Sequence, residues 1–555
     1  MSAARRPITW REGAAVTLFA IALTVYFTWP LALNPAGLGR LAPGDGQFSV
    51  WNIAWVAHAF STGQNVFDAN IFHPHKTTLA FSEANLGAGL LALPAYLLTG
   101  NPYAAHNSAV LIGLTFSVIG MYLLGRRLTG NLPASLVAAV LFAFCPFLFA
   151  RTAHIQLMMT APFPLVLLAF HVFADETTVK RAVILGFSIA VQALFCAYYG
   201  VLVGLIVGVG VLVFAIMRGT WRQPRWWYLT ALAAALSLAL VLPFFLPYIR
   251  LQDETGFGRS LDDARRYSAN WQAYFASSAN AHRWMLPLLG MGSWKEVLFP
   301  GFTALILGVF GAVMSFRRSV NLPIGRDVAV FYTAVLVLAL WSSFGPAAGL
   351  YSLLYHTIPV FSLLRAPGRF GLAVTVALTV FSAVGLTVLL GRIRVTARTA
   401  VAAAVLLVAV AELTTEIPYD EVRPVPRAYK VLASAEPGAV VEFPFYFLAH
   451  ERYLQTRYML GSTTHWLPLL NGYSDFIPKE FFEGAELFRN FPDDAALSWL
   501  RARGTRYVVF HRHLYDEASR ARLDEKLAAH ASQLRPRYIL ESTQLYELVE
   551  GPTTR

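Results

Sequence analysis

Residues 1–33 read MSAARRPITWREGAAVTLFAIALTVYFTWPLAL. Arg5, Arg6 and Arg11 precede a long apolar run. A run of about 20 apolar residues spans the ~30 Å hydrocarbon layer as a helix. A secretory signal has the same order of parts, but with a shorter apolar stretch and a small-residue cleavage site, which this segment lacks. It therefore reads as an uncleaved first span with its basic end inside. The rest of the chain repeats the pattern.

Of 555 residues, 56% are hydrophobic and 14% charged, and the mean hydropathy is +0.51. A soluble protein carries roughly a quarter charged residues. Apolar runs occupy residues 12–33, 104–125, 132–150, 156–174, 182–198, 200–217, 229–248, 299–316, 328–344, 371–391 and 399–413, which makes eleven candidate spans. The fold class is a polytopic α-helical membrane protein. A β-barrel would show ~10-residue alternating segments instead.

The net charge of +12 is explained by basic loops rather than by nucleic acid. Arg126 and Arg127 follow the second span, Lys180 and Arg181 the fourth, and Arg218, Arg222 and Arg225 the sixth. Arg317, Arg318 and Arg326 follow the eighth, and Arg392, Arg394 and Arg398 the tenth. All fall on one side if the N-terminus is cytoplasmic. An odd number of spans then places the C-terminus outside. Cys145 and Cys196 both lie within apolar runs and read as core residues.

Long segments fall on the outer side. Residues 34–103 form a large first outer loop, in which FSVWNIAWVAHAF (48–60) has the aromatic spacing of an interfacial helix and LGAGLLALPAYLLTG (86–100) is apolar but short. Residues 249–298 and 345–370 form two more outer loops. The expected division is a transmembrane domain over 1–413 and an extracytoplasmic α/β domain over 414–555, joined by the Pro-rich, charged EIPYDEVRPVPRAYKVL. In the second part GAVVEFPF, TRYVVFH and QLYELV predict strands; KEFFEGAELFRNF, DDAALSWLRARG and YDEASRARLDEKLAAHASQL predict helices. No internal repeat suggests the inverted halves of a transporter.

The residues suited to chemistry lie in the outer segments. PGDG (43–46) sets Asp45 between two glycines, either as an ordinary turn or as an acid placed at the waterline to take a proton from a hydroxyl. Asp68 reads as a turn acid. Glu83, just before an apolar segment, is either a functional acid or a helix cap, a task Asn85 can also fill. His73 and His75 in FHPHK leave a metal site and a plain loop both open. In RTAHIQ, Arg151, His154 and Gln156 suit a phosphate or sugar hydroxyl, or else are a snorkelling cation and its wet neighbours. Arg259, Arg265, Arg266, Arg365 and Arg369 lie on the outer side, against the usual bias, and suit a lipid phosphate either as substrate or as headgroup. HWLPLLNGYSDFIP gathers Trp466, Asn471, Tyr473 and Asp475, as a sugar site or as a packed loop.

Taken in order, PGDGQFSVWNIAW (43–55), FSEANLGAGLLALPAYLLTGNPYAAHN (81–107), HIQ (154–156), LLRAPGRFG (363–371) and LLNGYSDFIP (469–478) give the chain a resemblance to the GT-C superfamily of membrane glycosyltransferases. The closer likeness is to bacterial family-39-like integral membrane proteins. The resemblance implies inverting transfer of a sugar from a polyprenyl-phosphate donor to a glycan, lipid or protein acceptor at the outer face of the inner membrane. It makes Asp45 the base and Glu83 a second acid, or a metal or acceptor ligand. Arg151, His154, Gln156, Arg266, Arg365, Arg369, Asn471 and Tyr473 become substrate-binding candidates. It leaves open a divalent metal, Mg or Mn; RTAHIQ lacks the acid that GT-C enzymes often carry there. A transporter or flippase of a lipid-linked saccharide, and a non-catalytic glycan-binding scaffold, are the alternatives. The first would want ionisable groups at mid-membrane, and few are found: His171 and Glu412 lie near span ends, and most acids lie in outer loops.

Overall fold

The computed structural model describes residues 7–290, 296–317 and 322–549. Arg5, Arg6 and Arg318 lie outside these residues. The chain divides into two compact units: residues 1–33, 109–246 and 252–418, and residues 34–108, 247–251 and 419–555.

The first unit is helical. Each of the eleven apolar runs holds a helix, from Trp10–Phe27 to Val395–Leu413. Among the described residues seven helices are long and apolar enough to cross a membrane: Pro102–Thr129, Leu132–Phe149, Ala197–Arg218, Pro224–Thr255, Arg326–Ser343, Pro367–Gly391 and Val395–Leu413. The other four runs hold helices Trp10–Phe27, Pro162–Asp175, Val179–Phe195 and Phe302–Ser315. Helix Gly371–Gly391 is apolar on every side and almost wholly buried, which is how such a helix is accommodated. Helix Phe302–Ser315 packs on it through glycines. A Cβ at Gly311 would collide with the Phe381 carbonyl, and one at Gly385 with the Leu307 carbonyl. Close backbone approach at small residues is the main source of helix association where water does not drive it.

Ion pairs gather several helix ends at one end of this unit. Arg126 Nε holds Glu12 at 2.9 Å, and Arg127 holds Asp175 at 2.5 Å. Arg218 contacts both Asp175, at 3.3 Å, and Asp327, at 2.6 Å. These are residues that the charge pattern assigned to one side. His171 bonds Tyr332 at 3.0 Å between helices Pro162–Asp175 and Arg326–Ser343. Glu412 accepts from the backbone of Phe302 and Thr303, which start helix Phe302–Ser315, and contacts His282 Nε2 at 3.0 Å. Both ionisable groups noted near span ends therefore have structural partners.

The second unit joins the first outer loop to the C-terminal segment. Strand β1 (Leu38–Gly39) pairs antiparallel with β2 (Asp420–Glu421), inside the stretch expected to be a linker. A four-stranded sheet holds β3 (Ala439–Phe443), β4 (Thr505–His511), β5 (Leu534–Tyr538) and β6 (Thr543–Leu548) in the order β3-β4-β6-β5. β3 and β4 are parallel, and the other pairings antiparallel. Val441, Phe443, Val508 and Phe510 pack with Leu497 and Leu500 of helix Asp494–Ala502 and Leu523 of helix Glu517–Ala529. Helix Asp45–Thr62 differs from the interfacial reading: Trp51 and Trp55 are buried. Their indole N–H groups donate to Asn70 Oδ1 at 3.2 Å and to the Val66 carbonyl at 2.8 Å, and partnered indoles bury well. The short helix Leu86–Thr99 exposes Leu90, Leu97 and Leu98.

Candidate functional site

Asp45 is exposed and opens helix Asp45–Thr62. Gly44 precedes it at φ 111°, ψ −145°, a conformation open to glycine almost alone. Its N–H donates to Thr456 Oγ1 at 2.9 Å, which fixes the turn. The first glycine therefore makes the turn, and the acid enters the helix's first turn, where the positive end of the dipole favours an anion. Tyr473 Oη donates to Asp45 Oδ1 at 3.4 Å.

Two residues beyond Tyr473, Asp475 Oδ2 accepts from Ser82 Oγ at 3.0 Å, and Phe476 N donates to the Phe81 carbonyl at 3.0 Å. NGYSDF thus runs from Asp45 to the segment that carries Glu83. Glu83 is half-buried. Its own carbonyl accepts from Asn52 Nδ2 at 3.2 Å and from Asn85 Nδ2 at 3.1 Å. Asn85 stands before helix Leu86–Thr99 but makes no side-chain cap; at φ 54° it turns its amide to Asn52 and Glu83 instead.

Asn471 is not at the surface. It is fully buried, accepts from Glu442 N at 2.7 Å and donates to the Glu442 carbonyl at 3.0 Å and to Gln455 Oε1 at 2.9 Å. His73 Nε2 contacts the Arg503 carbonyl at 3.0 Å, and burial lowers its imidazole below the ordinary value. His75 lies 3.1 Å from Glu480. Asp68 is a turn acid, bonded by Thr77 N at 2.9 Å. Among the described residues no group of three or more His, Cys, Asp or Glu side chains is placed to hold one metal ion.

In the first unit the second outer turn and LLRAPGRFG come together. Arg151 follows helix Pro146–Phe149 and forms an ion pair with Glu296. Its Nε–H is buried and finds no acceptor among the described residues. Glu296 Oε2 lies 3.7 Å from where a Cβ on Gly368 would stand. Arg365 stacks over Tyr267 at 5.3 Å, and Arg369 over Tyr198 at 4.9 Å. The loop is held by Tyr198 Oη, which donates to the Ala366 carbonyl at 2.6 Å, and by Gly368 N, which donates to the Tyr267 carbonyl at 3.1 Å. Arg151 and Arg369 both act electrostatically on Tyr199, whose hydroxyl donates to the Leu157 carbonyl beside Gln156. His154 starts the short helix Ile155–Met158 that carries Gln156. Arg266 ends helix Leu261–Arg266, exposed, beyond the Ser260–Asp263 capping box. Arg151 and Arg369 thus both lie near Tyr199, and a pair of guanidinium groups suits an anion. Glu296, and Tyr248, whose hydroxyl bonds Ser82 O and Ala84 N, do not stand out in the sequence: one lies in a long loop, the other in an apolar run.

A sequence family described as "Domain of unknown function (DUF6311)" matches residues 8–414. No curated protein matches the chain. The apo oligosaccharyltransferase of Archaeoglobus fulgidus is 14% identical, with a TM-score of 0.52 over 98% of this chain and 75% of that one. ArnT from Cupriavidus metallidurans bound to undecaprenyl phosphate is 15% identical, with a TM-score of 0.46 over 97% and 98%. The fold is like that of the Archaeoglobus fulgidus oligosaccharyltransferase.

Proposed function

The chain belongs to the DUF6311 family, and we propose that it is a GT-C-type glycosyltransferase that moves a sugar from a polyprenyl phosphate to an acceptor hydroxyl outside the cytoplasmic membrane. The observation that carries the reading is Asp45: an exposed carboxylate on a glycine-made turn, touched by the Tyr473 hydroxyl. In this reading Asp45 takes the proton of the acceptor hydroxyl. The acceptor oxygen then bonds the anomeric carbon from the face opposite the phosphate. The carbon–oxygen bond to phosphate breaks, its electron pair leaves with the polyprenyl phosphate, and the configuration inverts. A positioned base supplies about 10²–10⁴-fold.

Taken by itself, the first unit carries arginines that suit a lipid phosphate. Support comes from Arg151, whose buried Nε–H lacks an acceptor, and from Arg365 and Arg369, whose guanidinium planes are held by aromatic stacking. Fixed donors aimed at developing charge are worth the most where water is excluded. Glu83 serves as the second acid, which holds the acceptor. Because the described residues hold no three-ligand cluster, Mg or Mn is assigned no step. The C-terminal part faces outside, with the N-terminus within the cytoplasm.

The test is mass spectrometry of envelope glycans in wild type, a deletion and Asp45→Asn at matched protein level. Loss of the same sugar in both mutants is expected. A glycan that disappears on deletion and persists with Asp45→Asn would overturn the base assignment and favour transport or scaffolding.

A further inference from the structure

Tyr248 lies in helix Pro224–Thr255 but belongs to the second compact unit. Its hydroxyl makes two backbone bonds. It donates to the Ser82 carbonyl at 3.0 Å and accepts from Ala84 N at 2.9 Å. Ser82 and Ala84 are the two neighbours of Glu83. One phenol oxygen therefore grips the peptide on both sides of the acid. Glu83 and Asp475 both act electrostatically on this phenol, so the carboxylates and the hydroxyl share one neighbourhood.

The rest of the peptide is held as closely. Asn52 and Asn85 both donate to the Glu83 carbonyl. Asn85 adopts φ 54°, a left-handed conformation uncommon outside glycine, and Asn and Asp tolerate it best. A residue kept in such a conformation by buried amide bonds marks a backbone whose shape is over-determined. Ser82 is fixed in turn through Asp475. These bonds go to the main chain of residues 82–84 or to side chains beside it, and so they fix the backbone from which the Glu83 side chain projects.

We infer that Tyr248 is a positioning residue for Glu83: its hydroxyl, bonded to Ser82 O and Ala84 N, fixes where the Glu83 carboxylate stands during transfer. The inference rests on the proposed function, in which Glu83 holds the acceptor. Displacing a positioned group by about 1 Å costs on the order of 10²-fold in rate.

The experiment uses the full chain in a deletion strain. The readout is the rate at which the missing envelope glycan returns after induction, at matched protein level, beside the melting temperature of the purified protein. Tyr248→Phe removes one oxygen and is expected to slow the return about 10–100-fold, the loss set by such a displacement. Glu83→Gln should slow it at least as much. In the Glu83→Gln background Tyr248→Phe should add almost nothing, because a residue that acts only through another loses its effect when that other is gone. Asn52→Ala, which removes a separate grip on the same peptide, should show the same non-additivity. A Tyr248→Phe rate equal to wild type overturns the inference. So does an equal fold-loss in both backgrounds, or a loss that follows a fall in melting temperature; each marks a merely structural phenol. If Glu83→Gln itself returns the glycan at the wild-type rate, the acceptor role of Glu83 fails and the inference fails with it. If deletion changes no glycan, the transferase reading fails first.

Discussion

Arg151 donates a guanidinium N–H to the carboxylate of Glu296, and each side chain keeps 20% of its surface exposed. Arg151, which we propose suits a lipid phosphate, thus already holds an internal anion. An incoming phosphate has to compete with Glu296 or use the remaining N–H groups. A hydrogen bond to a charged group contributes about 1.5–3 kcal/mol. If the proposed function holds, Arg151→Ala should weaken retention of a polyprenyl phosphate by the purified protein by about 10–100-fold, the range that this energy sets. Glu296→Gln should strengthen retention, because the competing charge is gone. Binding to vesicles with and without a polyprenyl phosphate measures both. Equal retention by wild type and Arg151→Ala would remove Arg151 from the donor site.

Gly44 decides where Asp45 stands. The position has room, since an added Cβ would come no nearer than 3.8 Å to Tyr453, so the cost of Gly44→Ala is conformational. A non-glycine residue held in such a region costs about 1–3 kcal/mol. Gly44→Ala should lower the rate of transfer more than it lowers the melting temperature, because the helix start can shift and carry Asp45 with it. Gly63→Ala is the comparison: it is also at positive φ, 70°, but at the far end of the same helix. It should cost stability without a selective loss of transfer.

Much of the architecture was legible, for reasons that particular segments make plain. VVEF and YVVF are largely apolar and β-branched, and they form the parallel pair β3 and β4. LRPRY was missed as a strand because Pro536 and two arginines deny it the usual pattern. It is β5, at the edge of the sheet, where proline and charge are tolerated. The aromatic spacing of helix Asp45–Thr62 gave the helix but not its burial, because the partners of Trp51 and Trp55 are polar groups that no periodicity encodes. Site residues divide the same way. Asp45 and Glu83 are acids out of place in an apolar context, and so they are visible. Tyr248 lies 164 residues from the Ala84 amide that it holds and sits in FFLPYIR, where a tyrosine reads as a membrane-boundary aromatic. For Asn471 the sequence leaves a sugar contact and a packed loop both open, because its bonds to Glu442 and Gln455 exist only in the fold.

Asn471 makes a separate prediction. Its amide joins β3 to Gln455 through three hydrogen bonds at a fully buried position. Asn471→Ala leaves the Glu442 N–H and carbonyl without these partners, and each buried unsatisfied group costs about 1–3 kcal/mol. Thermal unfolding of the purified chain should show a clear loss of stability. The fraction that remains folded should transfer sugar at the wild-type rate. A folded Asn471→Ala protein with normal stability and lost transfer would return Asn471 to the substrate.

His465 sets a pH dependence. Burial lowers its imidazole from 6.5 to about 4. Its Nδ1 accepts from Leu467 N at 2.9 Å, its Nε2 is buried with no partner among the described residues, and its ring stacks on Tyr429. A proton on Nδ1 would break the bond to Leu467. The folded pKa lies below the unfolded one, so between the two the unfolded chain binds more protons. The contribution of neutral His465 is then fully present above about pH 6.5 and is lost as pH falls toward 4, by about 3 kcal/mol for a shift of this size. Burial shifts His58, His73 and His513 in the same direction, so the total fall should exceed what His465 alone supplies. Melting temperatures from pH 7.5 to 4.5 should decline in wild type and decline less in His465→Asn, whose amide oxygen can still accept from Leu467. Parallel profiles for the two proteins would show that His465 is not the group that the folded chain keeps neutral.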